Sequence, residues 1–128
     1  MAQAVLPHLQ GPRRITNIVS VFGRIGQPAA GVYSASEAAV EALSRGWASE
    51  LGAAGHAVNV LSPALAETDM TARTPGPGSE QMQKMVTDLE HRLGKAEDIA
   101  LVIAMLAEPP SSWITGQTSQ AGGGICIT

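Results

Sequence analysis

Three side chains in this 128-residue sequence have types and spacing suited to moving a proton: Ser20, Tyr33 and Glu37. A serine hydroxyl can polarise a carbonyl oxygen, a phenol can hold or give up a proton, and a carboxylate can take one, so the three together suit general acid–base work on a carbonyl compound. Tyr33 and Glu37 stand four residues apart, which on a helix places them on one side. An anion at that separation opposes formation of a phenolate, so Tyr33 is expected to keep its proton and to act as a hydrogen-bond donor. Glu37 could itself be a general base if partly buried, although a solvated glutamate on a helix surface is the preferred reading of that residue. His8, His56 and His91 show no metal-ligand spacing and read as structural or solvated. Cys126 is the only cysteine, which leaves no internal disulfide and no thiolate cluster.

The elements that must carry these groups follow from the apolar pattern. Arg14 to Ser20 is β-branched and nearly continuously apolar, as a strand covered on both faces would be. A glycine-punctuated loop over 21–31 leads to a long helix from Tyr33 to about Ala53, with Ala35, Ala38, Ala39, Val40, Leu43, Trp47 and Leu51 at helical spacing. Gly52 and Gly55 end it, and His56 to Leu61 is a second strand stopped by Ser62-Pro63, completing a strand–helix–strand crossover. Residues 64–79 read as a long loop, and a mobile lid over 64–84 is expected. Two helices over 80–93 and Lys95 to Ala107 are split at Gly94, and Ile114 to Thr128 is a short strand interrupted by glycines. Ala2 to Leu9 reads as the tail of a helix. With 128 residues the chain is one domain, 1–128.

Composition narrows the function classes. Apolar residues make up 45% and charged residues 15%, enough to build a core. Eight Lys and Arg against eleven Asp and Glu give a net charge of -3 with no basic stripe, so nucleic acid is not an expected partner. No apolar run approaches the length of about 18 residues that a membrane span needs. A cytoplasmic location without membrane contact is the expectation.

Taken in order, the strand ending at Ser20, Tyr33-Ser-Ala-Ser-Glu37 opening a helix, Val58-Asn-Val-Leu-Ser-Pro63, Lys95-Ala-Glu-Asp-Ile-Ala100 and Ile114-Thr-Gly-Gln117 resemble the short-chain dehydrogenase/reductase family. The likeness runs from about Ala2 to Ile125 and is to the C-terminal half of that family. It implies an α/β fold with an incomplete Rossmann-like parallel sheet, three C-terminal strands with their helices, and no N-terminal nucleotide-binding half. It also implies that Ser20 polarises a substrate carbonyl and that Tyr33 transfers the proton. The family places a lysine four residues after the tyrosine, where it favours the phenolate and holds the cofactor ribose. Here that position is Glu37.

Further departures are Ala64, Ala96 and Ala121, where the family has glycine, proline and an acidic residue. Pro63 and Thr68 fall at the family's nicotinamide-contacting segment and are read as vestigial. No cofactor is expected for the isolated chain, and NAD(P)H is expected only if a partner supplies the missing half. The resemblance therefore implies a truncated relative without autonomous NAD(P)-dependent oxidoreductase activity. Two alternatives stay open: a non-redox acid–base enzyme (isomerase, cyclase or dehydratase) acting on a carbonyl-bearing metabolite through Ser20, Tyr33 and Glu37, and the substrate half of a split carbonyl reductase. A homodimer or higher homo-oligomer through helix 34–53 and an open sheet edge, or a partner chain, is expected to cover the exposed apolar surface.

Overall fold

A run of β-branched residues extends the backbone from Arg14 to Ile18 (β1), and the crossover brings a second strand, Ala57–Pro63 (β2), alongside it in parallel. The structure is a computed structural model that describes residues 2–26, 28–72, 84 and 87–127. Arg14 lies opposite Ala57 and Ile18 opposite Leu61, and the ladder is closed at its ends by Ala57 N–H to the Arg13 carbonyl and Val19 N–H to the Leu61 carbonyl, both 2.9 Å. Between the two strands runs a 21-residue helix, Gly31–Leu51, which follows the short first helix Ala2–Val5; the long helix is α2 and the short one α1.

The sheet has the order β1–β2–β5, where β5 is Thr118–Ala121 and is also parallel to β2. A two-residue ladder joins β3 (Ala66–Glu67) to β4 (Gly94–Lys95), with a one-turn helix α3 (Asp69–Ala72) after β3. The last helix, α4 (Ala96–Ala107), starts where the Asp98 carboxylate accepts from Lys95 N–H at 2.8 Å and ends before Pro109 and Pro110. The sheet carries helices on both faces. Asn17 and Thr118 share the α2 face, since Asn17 Nδ2 donates to Ser44 Oγ at 2.8 Å and Thr118 Oγ1 to Glu41 at 3.1 Å. The core is small: Val58, Val60 and Leu61 of the central strand and Leu106 of α4 are its largest fully buried side chains. None of the helices among the described residues is long and apolar enough to cross a membrane.

The α/β class, the crossover and the three-stranded parallel sheet agree with the sequence reading, and four details differ. First, β1 stops at Ile18 because Ser20 already caps the next turn, and β2 runs on to Pro63, whose missing N–H is tolerated at a strand end. Second, residues 87–92 form a turn rather than the end of a helix, with left-handed backbone at Glu90 (φ 57°) and His91 (φ 46°). The remainder of the expected helix over 80–93 and most of the expected lid over 64–84 lie outside the described residues. That turn is fixed from elsewhere: Leu89 N–H donates to the Gly123 carbonyl at 2.9 Å. Gly124 (φ 97°) lies so close to Asp88 that an added Cβ would meet its carboxylate at 2.5 Å.

Third, the buried face of α2 is built on Glu41, Ser44 and Ala48, while Val40 and Leu43 of the expected apolar stripe are exposed. Fourth, strand structure near the C-terminus is confined to Thr118–Ala121.

Candidate functional site

Ser20 stands where β1 hands over to a 3-10 turn, Val21–Gly23. Its Oγ accepts from Phe22 N–H at 3.2 Å, which leaves the hydroxyl proton directed elsewhere for a ligand to accept. Phe22 meets Tyr33 edge to face, with ring centroids 6.5 Å apart and planes at 71°. The aromatic pair ties the turn after Ser20 to the first turn of α2, so the strand end and the helix start that carry the two hydroxyls are brought together. Tyr33 is 47% exposed.

Glu37 lies one helical turn on from Tyr33 and is half-buried. Its carboxylate forms no hydrogen bond or ion pair among the described residues. Gly23 determines how close the turn comes to the helix at this point. A Cβ on Gly23 would stand 3.1 Å from both the Ala38 backbone nitrogen and Glu37 Cβ, tighter than most real contacts. These contacts make one patch of the Ser20–Gly23 turn and the stretch of α2 that carries Tyr33 and Glu37.

A feature that sequence reasoning missed lies just behind that patch. Arg24, immediately after the turn, places Nε 3.2 Å from both carboxylate oxygens of Glu41 and also pairs through Nη2. Glu41 is 6% exposed, and Arg45 Nη1 (3.0 Å) and Thr118 Oγ1 (3.1 Å) complete its shell. The Arg24 hydrogen bond, joined by that from Thr118, holds the Glu41 carboxyl below the usual carboxylate range despite burial; the Arg24 guanidinium is pushed up in return. The sequence signals only the Glu41/Arg45 spacing of an ordinary surface pair; the burial comes from the sheet beneath. This network bolts the site loop to α2 and to β5 at once.

Two pockets flank these elements. One, of about 310 Å³, is lined by Arg24, Thr118, Gln120 and Cys126; the other, of about 260 Å³, by Leu89, Arg92, Asp98, Val102 and Gln120. Neither is lined by Ser20, Tyr33 or Glu37. Cys126 is buried and accepts from Gln120 Nε2 at 3.7 Å. Among the described residues no group of three or more His, Cys, Asp or Glu is placed to hold a metal.

The residues that could hold a dinucleotide are engaged otherwise. Pro63 ends β2. Thr68 is exposed, and its hydroxyl and backbone N–H both meet Thr71 Oγ1, at 3.3 and 2.9 Å, in a local cap of α3. Gly23 faces Glu37 and Ala38, Gly123 faces Thr87 and Gly124 faces Asp88, whereas Gly26, in the loop from β1 to α2, and Gly31, at the start of α2, have open space in front of them. Thr68, Gly23, Gly123 and Gly124, so occupied, do not fit the pyrophosphate end of such a cofactor.

Comparison with known proteins agrees with this architecture. The family model described as enoyl-(acyl carrier protein) reductase matches residues 1–126. The dehydrogenase OXI1 of Cochliobolus heterostrophus is 43% identical over 131 residues, covering 99% of this chain and 56% of its own. The 3-oxoacyl-[acyl-carrier-protein] reductase FabG of Thermotoga maritima is 36% identical, covering 99% of this chain and 52% of its own. Among solved structures, a short-chain dehydrogenase/reductase from Brucella melitensis superposes with a TM-score of 0.91 at 32% identity, over 99% of this chain and 51% of that one. A gluconate 5-dehydrogenase from Burkholderia cenocepacia, solved with NADP and tartrate, gives 0.90 at 28% identity, over 97% of this chain and 49% of that one. The chain spans about half the length of the relatives it matches.

Proposed function

The chain belongs to the short-chain dehydrogenase/reductase family, and from that premise we propose that these 128 residues form the substrate-side half of a carbonyl site, without autonomous NAD(P)-dependent oxidoreduction. In this reading Ser20 donates its proton to a substrate carbonyl oxygen, and Tyr33 stands beside it as a second donor. A nicotinamide cofactor, where another polypeptide holds it, would supply the hydride; this chain's own residues orient the carbonyl and hold the proton.

The observation that carries the reading is Glu37. One helical turn after Tyr33 the chain has a carboxylate where the resemblance implies the cation that holds the cofactor ribose, which removes one contact to a nicotinamide cofactor. Gly23, Gly123 and Gly124, each packed against protein, support the same reading, since they leave no approach to phosphate at those positions. The test is turnover: the purified 128-residue polypeptide, incubated with NADPH and a panel of small ketones, is expected to leave the nicotinamide absorbance unchanged. Sustained ketone-dependent oxidation of NADPH overturns the reading.

The exposed side of α2 supports a homo-oligomer. Val32 (89% exposed) and Leu43 (53%) share one helix side with Val40 and Trp47, which suits packing against a second α2. Leu43→Glu is expected to shift sedimentation from dimer to monomer, and an unchanged sedimentation coefficient would remove α2 from the contact.

A further inference from the structure

A cavity of about 260 Å³ lies between the 87–92 turn, the first two turns of α4 and the end of β5, and none of Ser20, Tyr33 and Glu37 lines it. Its apolar wall is Leu89, Ile99 and Val102, and Leu89 is 69% exposed, so apolar surface is left uncovered there. Arg92 and Asp98 form a polar wall. Their pairing is lopsided: Arg92 Nη1 donates to Asp98 Oδ2 at 2.6 Å, whereas Nη2 stands 3.4 Å from Oδ1, beyond the length of a good N–H···O bond. Oδ2 also accepts from Lys95 N–H, and Arg92 Nε donates to Glu90, so the short bonds leave out Nη2 and Oδ1. Among the described residues these two atoms have no closer partner, which sets one donor and one acceptor side by side in a pair that lines the cavity. The turn that brings Leu89 and Arg92 to this wall has left-handed backbone at two successive residues other than glycine, Glu90 and His91, a strain that persists only where the surroundings impose it. Leu89 N–H on the Gly123 carbonyl and the Glu90–Arg92 ion pair impose it here.

We infer that this cavity binds an uncharged aliphatic alcohol of about six carbons, its hydroxyl accepting from Arg92 Nη2 and donating to Asp98 Oδ1 and its chain lying on Leu89, Ile99 and Val102. Size sets the chain: a cavity of about 150 Å³ holds the ring of benzene, so this larger one has room for a chain of about six carbons and its hydroxyl. Charge sets the head group. Arg92 already faces two carboxylates, Glu90 and Asp98, so an anionic ligand meets net repulsion. A hydroxyl, both donor and acceptor, fits a donor and an acceptor side by side, whereas an ether oxygen can only accept. Binding alone is assigned to the cavity, with no bond made or broken, and it is independent of the proton chemistry of Ser20 and Tyr33, so either can fail alone.

Hexan-1-ol and its isomer butyl ethyl ether, with hexanoate as the charged probe, test this by titration into methyl-labelled protein followed by NMR. Hexan-1-ol is expected to shift the Leu89, Ile99 and Val102 methyl signals saturably and to bind about tenfold more tightly than the ether, the worth of one hydrogen bond to a charged group. Hexanoate should bind more weakly than either. Val102→Phe fills the cavity and should abolish binding of both neutral probes. Asp98→Ala removes Oδ1 and should bring hexan-1-ol down to the affinity of the ether. Should Asp98→Ala unfold α4, whose first turn that carboxylate caps, Arg92→Met removes the donor instead and is expected to weaken both neutral probes about tenfold while leaving their ratio in place. No saturable shift, equal affinities of hexan-1-ol and the ether, a preference that survives Asp98→Ala, affinities unchanged in Arg92→Met, or binding that survives Val102→Phe overturns the inference. So does hexanoate binding as tightly as hexan-1-ol, or shifts centred on Phe22 and Tyr33, which would put the alcohol at the Ser20 turn.

Discussion

Glu41→Gln removes the anion that joins the site loop, α2 and β5 while keeping nearly the same volume. The carboxylate is 6% exposed and receives Arg24, Arg45 and Thr118, so the neutral amide cannot reproduce the shell. Breaking a fully buried ion pair costs about 3–5 kcal/mol, but both cations here reach water: the Arg24 side chain is 31% exposed and that of Arg45 is 55%. With that discount the loss is about 2 kcal/mol, which for a domain of this size lowers Tm by about 8 °C.

The pH dependence has a fixed sign. The folded-state carboxyl lies below its unfolded value of 4.5, so the stabilisation is fully present above that value and is lost as pH falls through the lower folded one. Thermal unfolding of both proteins, followed by circular dichroism from neutral to acid pH, is the assay. The two curves should be about 8 °C apart near neutrality and should converge in acid. A neutral-pH difference under about 2 °C, or one that does not shrink with acid, would refute the network as an electrostatic bolt.

Three further outcomes follow from the geometry. Gly23→Ala places a Cβ 3.1 Å from Glu37 Cβ and the Ala38 nitrogen and should destabilise by about 1–3 kcal/mol in urea unfolding, with changed Phe22 and Tyr33 ring signals in NMR spectra. Asn59→Ala removes a buried side chain that donates to the Ile114 carbonyl at 2.8 Å and accepts from Gln117 N–H at 3.1 Å; a loss of about 2–3 kcal/mol is expected, and a loss under about 1 kcal/mol would mean that water replaces it. Gly124→Ala sets a side chain into Asp88 at a residue with φ 97°, and should raise hydrogen exchange at the Leu89 amide, which is otherwise held by Gly123.

The strand–helix–strand unit was legible because its signals are local. β-branched residues in Arg14 to Ile18 and Val58 to Val60, a long helical spacing after Tyr33, and glycines at 52 and 55 each report on their own neighbourhood. What was illegible depends on residues far apart in sequence. The turn at 87–92 looked helical until Gly123 and Gly124, more than thirty residues on, took hold of Asp88 and Leu89. Glu41 is buried through Arg24 and Thr118, both distant in sequence, which makes a carboxylate part of the buried face and leaves Val40 and Leu43 outside. For the site, the pattern named Ser20, Tyr33 and Glu37, and the structure packs the Ser20–Gly23 turn against the helix that carries the other two. The close approach through Gly23 that joins them has no signature in a single sequence.

The account turns on whether this polypeptide holds a nicotinamide dinucleotide on its own. Titrating NADPH with the purified 128-residue protein and following nicotinamide fluorescence asks that directly. A linear response with no saturation up to millimolar protein is the result expected from Gly23, Gly123 and Gly124 packed against protein and a Thr68 hydroxyl engaged by Thr71. Saturable, stoichiometric binding at micromolar protein would contradict it.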